Sequence, residues 1–260
     1  MSPRYPAPPS APTRLALIDA LRGFAVAQMI VYHFIWDLGH FGWLTVAMNN
    51  DLQWIAWRSA IVTQFLLLAG VSLALRAAWK PSLRDFAWRW LQIAAAAALV
   101  SIGSWSVVGP RFIYFGILHF VAAALLIVRP AVRFGIWNLL LAAIVVATWL
   151  LWRDPWFDSP PQVIAGLITN KPQTDDYVPL LPWLAPVFAG AALGALWRAR
   201  NFALTARWRR VNERAPRVLV ALGAWPLSIY LLHQPVLLGL LWLLKTITSS
   251  APFVLHLFVQ

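Results

Sequence analysis

The chain has 260 residues, of which 61% are hydrophobic and 12% charged, and its formal net charge is +12. Soluble domains are about 45–50% apolar and about 25% charged, so this composition excludes a soluble globular protein. The arginines gather in alternate loops between apolar stretches, which argues against nucleic acid as the partner; the absence of cysteine excludes disulfides, thiolate metal sites and an acyl-cysteine intermediate.

Residues 1–13 are Pro-rich and polar and lack an apolar stretch followed by a small-residue cleavage site. They read as a short disordered tail and not as a signal peptide. The membrane domain is predicted over 14–249, with 250–260 a short apolar C-terminal segment. Helices are predicted near 15–38, 53–76, 86–107, 112–129, 134–152, 178–197 and 218–246, which makes the fold class all-α: a polytopic transmembrane bundle of about seven helices. Gly223 and Pro226 predict that the last stretch breaks into a short lead-in and a span. Loop 153–177 is rich in Pro, Asp and Trp, and loops of that length are either functional or disordered. There is no internal repeat and no matched pair of broken helices, which counts against a transporter built from inverted repeats.

Basic residues orient the bundle. Most Lys and Arg lie in the N-terminal tail and in the second, fourth and sixth connections, whereas Arg111, Arg153, Lys171 and Lys245 fall on the other side. The positive-inside rule then places the N-terminus in the cytoplasm, with tryptophans such as Trp43, Trp54 and Trp156 at the outer boundary.

The first span carries an unusual load. Asp19, Arg22, His33 and Asp37 fall within about 60° of one another on a helix turning 100° per residue. Each charge near the bilayer centre costs about 2.5–3.5 kcal/mol on insertion scales, so this stripe must face protein or water. Arg22 lies in the inner part of the span, and His33 and Asp37 in the outer part. Asp37, four residues from His33, is placed to orient the imidazole and stabilise its protonated form; the competing reading is a buried histidine that packs helices. Arg22 either pairs with Asp19 and snorkels to headgroups or binds an anionic group arriving from the cytoplasm.

Further polar residues fall in the outer half. His40 is predicted in the first outer loop. His119 follows Gly116, and packing is its simplest role. Asp175 and Asp176 precede the sixth helix, where a helix cap is the default and an acceptor contact the alternative. Trp183 closes that motif. Tyr230, His233 and Gln234 line one region of the last span, where Pro235 predicts a polar wall or a bend.

The ordered blocks Ile18-Asp-Ala-Leu-Arg-Gly23, His33-Phe-Ile-Trp-Asp37, Phe65-Leu-Leu-Leu-Ala-Gly70, Phe115-Gly-Ile-Leu-His119, Asp176-Tyr-Val-Pro-Leu-Leu-Pro-Trp183 and Ser228-Ile-Tyr-Leu-Leu-His-Gln-Pro235 carry a resemblance. They resemble the bacterial branch of the heparan-alpha-glucosaminide N-acetyltransferase catalytic domain family. The Arg-x10-His spacing is also similar to that of acyltransferase-3 enzymes. The resemblance implies a multi-pass acyltransferase of the bacterial inner membrane. Its donor would be cytoplasmic acetyl-CoA, and its acceptor an amine or hydroxyl of a sugar or glycan on the outer side. It implies no metal and no nucleic acid; the partners are acyl-CoA, the glycan acceptor and the bilayer, with a homo-oligomer left open.

Under that resemblance Arg22 and Asp19 would serve the donor, and His33 would be the base, supported by Asp37. In animal members the histidine credited with catalysis lies in the loop after the first helix, so His40 is the second candidate. His119, Asp176, Trp183, Tyr230, His233 and Gln234 would contact substrate. An acyl-histidine relay and direct transfer both remain open. The competing function for the same residues is a transporter or proton-coupled permease.

Overall fold

The computed structural model describes residues 15–48, 50–77, 82–174, 176–200 and 206–255, except the side chains of 206–207 and 249–255. The helices are α1 (Ala16–His40), α2 (Leu52–Ala77), α3 (Leu83–Val108), α4 (Ile117–Ala131), α5 (Asn138–Leu151), α6 (Leu180–Ala199), α7 (Ala206–Glu213), α8 (Arg217–Ala224) and α9 (Pro226–Leu255). Short 3-10 turns link some of them. Apart from these, one isolated parallel bridge joins Phe115 to Tyr177 among the described residues. Apolar side chains such as Leu99, Ile102, Val107 and Leu151 stand exposed on α3 and α5. On membrane-length helices such faces meet lipid, so the chain is an integral membrane protein with an all-α polytopic fold.

Six described segments are long and apolar enough to cross a membrane, and one of them, Ile117–Leu151, contains both α4 and α5. The chain reverses inside that segment. Gly135 has φ 57°, a conformation that a side-chain-bearing residue rarely adopts, and Asn138 closes the turn by donating Nδ2–H to the carbonyls of Ala131 (3.0 Å) and Gly135 (2.8 Å). Packing between α2 and α6 requires this reversal. A Cβ on Gly70 would overlap the Val187 carbonyl, one on Gly190 the Leu67 carbonyl, and one on Gly194 would press on Val71 and Ala74. Residue numbers rise together along this contact, so α2 and α6 run parallel. A single crossing by 117–151 would leave them antiparallel. The segment is thus broken at Gly135 into α4 and α5, the two helices that the sequence predicts there.

The core divides accordingly. Leu66, Phe120, Val128, Val187, Phe188 and Ala191 join α2, α4 and α6, with α5 packed against them. Val26, Met29, Tyr32 and Ile61 form a second cluster, closed by Leu222, Ile229 and Tyr230.

Several boundaries differ from expectation. The predicted span 218–246 breaks at Trp225, between α8 and α9, close to the predicted Gly223–Pro226 point. Helix α9 runs through Pro235 to Leu255 and takes in the backbone of 250–255; the tail 1–13 and residues 256–260 lie outside the described residues. Helix α7 is an addition to the predicted elements: its sequence ARWRRVNE is too polar to register as a span. Loop 153–177 is ordered where described. Asp158 accepts from both N–H groups of Thr169 and Asn170 and from their side chains, which holds its carboxyl down at about 2, and Tyr177 donates to the Val163 carbonyl at 2.6 Å.

Gly190→Ala is expected to lower stability by about 1–3 kcal/mol, because the new methyl group must push α2 away. Gly103→Ala, whose Cβ would meet nothing within 4 Å, is expected to be neutral or to stabilise by up to about 1 kcal/mol. Unfolding midpoints of the two variants in one detergent check this. Equal midpoints would contradict the packing account.

Candidate active site

Helices α1 and α9 lie side by side and parallel. His33 meets His233, Asp37 meets Gln234, and the Phe41 carbonyl meets Lys245 Nζ, in rising order along both. Below them α1 and α8 almost touch. A Cβ on Gly23 would overlap the Leu219 carbonyl, and one on Gly223 the Asp19 carbonyl. Only glycine at both positions allows this approach, which brings the polar stripe of α1 against the α8–α9 unit.

The two histidines form the centre. His33 Nδ1 lies 2.5 Å from His233 Nε2. The rings are within 15° of parallel and their centroids are 4.8 Å apart, the span of two imidazoles joined edge to edge by one hydrogen bond. His233 Nδ1 points at the carbonyls of Tyr230 (2.6 Å) and Ile229 (3.2 Å). A carbonyl only accepts, so His233 carries its proton on Nδ1 and, as a neutral ring, accepts at Nε2. His33 must then donate from Nδ1, which leaves its Nε2 lone pair bare. No hydrogen bond reaches His33 Nε2 among the described residues, and His33 is partly exposed. The main chain of α9 thus fixes the tautomer of a side chain on α1.

This corrects the pairing expected within α1. Asp37 is fully buried and accepts from Gln234 Nε2 at 2.6 Å, not from His33. The spacing of four residues sets both side chains on one face, but the partner on α9 decides which atoms meet. His40 is also not in a loop. It ends α1, as a basic residue in the last turn favours, and its ring stacks on Trp36 at 5.5 Å. It lines a separate cavity of about 460 Å³ with Trp36, Gly39 and Val46, and stands two turns, about 10 Å, beyond His33.

Arg22 joins three helices. Its Nη1 donates to Asp19 Oδ1 at 2.8 Å and to the Gly223 carbonyl at 3.0 Å, and its Nη2 to Ser72 Oγ at 3.0 Å. The Asp19 pair of the sequence reading is present, with further acceptors on α8 and α2.

The other candidates are held by the fold as well. Ser101 Oγ donates to the Ile113 carbonyl at 2.6 Å, so it accepts from His119 Nε2 at 3.0 Å; His119 Nδ1 accepts from Gly116 N–H at 3.3 Å. Both ring nitrogens of His119 are therefore occupied, and the residue fastens the start of α4 to α3. Asp176 caps α4 and not α6: Val178 N–H donates to Phe115 O at 3.1 Å, aligning the two segments, and Asp176 Oδ2 accepts from Ile117 N–H at 3.1 Å. Burial pushes the Asp176 carboxyl above the usual range, against the opposing effects of that N–H, Arg58, Tyr230 and Lys171. Tyr230 Oη lies 3.5 Å from Asp176 Oδ2, and its ring adjoins His233, so it spans the two groups. Trp183 packs on the α2–α4–α6 cluster. Asp175 lies outside the described residues.

Two residues escape the sequence reading. Gln28 and Gln64 bond to each other at 3.0 Å, Trp57 donates to Gln28 and Gln64 donates to the Leu21 carbonyl, so a polar ladder joins α1 to α2. The signal that could have found them is an amide side chain inside an apolar span. Among the described residues, no group of three or more His, Cys, Asp or Glu gathers.

The described residues thus form a polytopic bundle with a pair of joined imidazoles on two of its helices. The profile of the heparan-alpha-glucosaminide N-acetyltransferase catalytic family matches residues 14–235, and the chain belongs to that family. It is therefore assigned to the membrane acetyltransferases. Comparison with curated proteins and with solved structures gave no match.

Arg22→Ala is expected to destabilise the protein by about 3–5 kcal/mol, the cost of leaving a partner charge buried. Arg22→Lys should restore little, because an ammonium cannot reproduce the planar fork that serves three acceptors. Thermal unfolding of both variants checks this. An unchanged midpoint with weakened acetyl-CoA binding would return Arg22 to the donor site.

Proposed function

We propose that the chain transfers an acetyl group from acyl-CoA to an amine or hydroxyl of a sugar or glycan, with His33 as the base. The supporting observation is the hydrogen-bonded His33–His233 pair, whose tautomers leave His33 Nε2 bare. The donor would arrive at the basic end, which would face the cytoplasm by the positive-inside rule, and the acceptor at the other end. Pantetheine would then pass between the helices to bring the thioester to His33.

The chemistry follows from the pair. The acceptor N–H or O–H gives its proton to His33 Nε2 as the nucleophile adds to the thioester carbonyl. His33 is then an imidazolium that still donates to His233 through Nδ1. Collapse of the tetrahedral intermediate breaks the C–S bond, and His33 returns the proton to the departing thiolate. His233 touches neither reactant; it is a positioning residue that keeps the His33 proton on the far nitrogen. Tyr230, held against Asp176 and beside His233, would hydrogen-bond the acceptor or the thioester oxygen. Asp37 and Gln234 fix α9 against α1 at this level.

Purified protein given acetyl-CoA and glucosamine is expected to release CoA and form acetylated sugar. His33→Gln should lower turnover about 10²–10⁴-fold, the usual contribution of a general base. His233→Gln, which keeps an oxygen to accept from His33 Nδ1, should retain more activity than His233→Leu and should alter the pH profile less. Loss of activity in His40→Ala with full activity in His33→Gln would move the base to His40. Movement of glucosamine across a vesicle membrane without acetylation would favour the permease.

A further inference from the structure

A groove of about 510 Å³ opens on the side of the bundle at its basic end, where α1, α7 and α8 meet. Its lining includes Leu17, Leu21, Phe24 and Leu219 together with Arg210 and Arg214. Leu21 and Phe24 are 41% and 49% exposed, so the apolar wall faces outward, where lipid tails run, and not into the bundle. Helix α7 is short and strongly amphipathic in sequence, with Arg209 and Arg210 beside Val211, and Asn212 Oδ1 accepts the Leu17 N–H at 2.9 Å, fixing α7 across the start of α1. A short basic helix of this kind suits the boundary between headgroups and acyl chains.

We propose that this groove binds an anionic phospholipid from the leaflet that the basic loops face. Its phosphate would be held by Arg210 and Arg214, and an acyl chain would lie along Leu21, Phe24 and Leu219. The match is one of charge and shape together. Two arginines in one groove suit a phosphodiester, which arginine binds through paired donors. The apolar side chains of Leu21, Phe24 and Leu219 in the same groove suit a tail and give a soluble phosphate nothing to cover. The lipid would act as a wedge that holds α7 and α8 against α1, the contact that sets Gly223 on Gly23. This inference is independent of the transfer chemistry, since none of these residues touches His33 or His233.

The test uses full-length protein stripped of lipid in detergent and titrated with phosphatidylglycerol or phosphatidylcholine, with bound lipid counted by native mass spectrometry. Saturable binding with a preference for phosphatidylglycerol is expected. The double variant Arg210→Gln/Arg214→Gln should weaken phosphatidylglycerol binding about tenfold or more, from about 1 kcal/mol for each basic residue lost. Arg209→Gln, which removes a charge outside the groove, should change it far less. Leu21→Trp, which fills the trough and keeps both arginines, should also weaken binding, and an unchanged circular dichroism spectrum verifies that each variant is folded. Equal binding of the two lipids, or equal effects of Arg209→Gln and the double variant, would overturn the proposal. Displacement of phosphatidylglycerol by CoA, with inorganic phosphate having no effect, would also overturn it and assign the groove to the donor.

Discussion

The close approach of α1 and α8 at Gly23 and Gly223 is the contact on which the site depends. A backbone contact this tight cannot accept even a methyl group. It brings the Gly223 carbonyl within reach of Arg22 and starts α9 alongside the upper part of α1. From there the parallel run of α1 and α9 sets His233 on His33 and Gln234 on Asp37. Inside a bilayer there is no water to satisfy a stray charge, so each polar group on α1 needs a protein partner. The α8–α9 unit supplies the Gly223 carbonyl, His233 and Gln234, and α2 supplies Ser72, Gln64 and Trp57.

The second parallel pair, α2 with α6, determines how the rest of the chain is arranged. It forces 117–151 to turn back at Gly135 and places the loop before α6 beside the start of α4. Asp176 is thereby carried from the approach to one helix to the N-terminus of another, and across to Tyr230 on α9. Three helices that are distant in sequence are thus tied together next to the histidine pair. Of the polar residues of the predicted outer half, Asp176, Tyr230, His233 and His33 are linked by contacts, whereas His40 lines a separate cavity. His119 and Asp176 fasten helices, while His33 retains a ring nitrogen that accepts no hydrogen bond from the described residues.

Much of the fold is legible in the sequence because spanning helices must be long and apolar, and because loops carry the basic residues. The α4–α5 reversal is readable from polar interruptions near Arg129 and Arg133, and the α8–α9 break from Gly223 and Pro226. The stripe of α1 is readable because 3.6-residue periodicity places Asp19, Arg22, His33 and Asp37 on one face. Periodicity says nothing about the partner helix, however. It suggests that Asp37 holds His33, whereas His233, 200 residues later, does so. The same limit hides the cap that Asp176 gives to α4, the Ser72 contact of Arg22 and the short helix α7. The predicted end of the first helix near residue 38 leaves His40 in a loop, yet the helix continues to His40 and stacks it on Trp36.

The most direct test of the account is the protonation state of the two rings. Nitrogen chemical shifts of histidine-labelled protein in bilayers, assigned with His33→Gln and His233→Gln, report which nitrogen of each imidazole carries hydrogen. The account predicts Nδ1–H on both, with the His33 proton shared toward His233 Nε2 and a bare Nε2 on His33. A His33 ring protonated on Nε2 would leave no base facing the reactants and would contradict it.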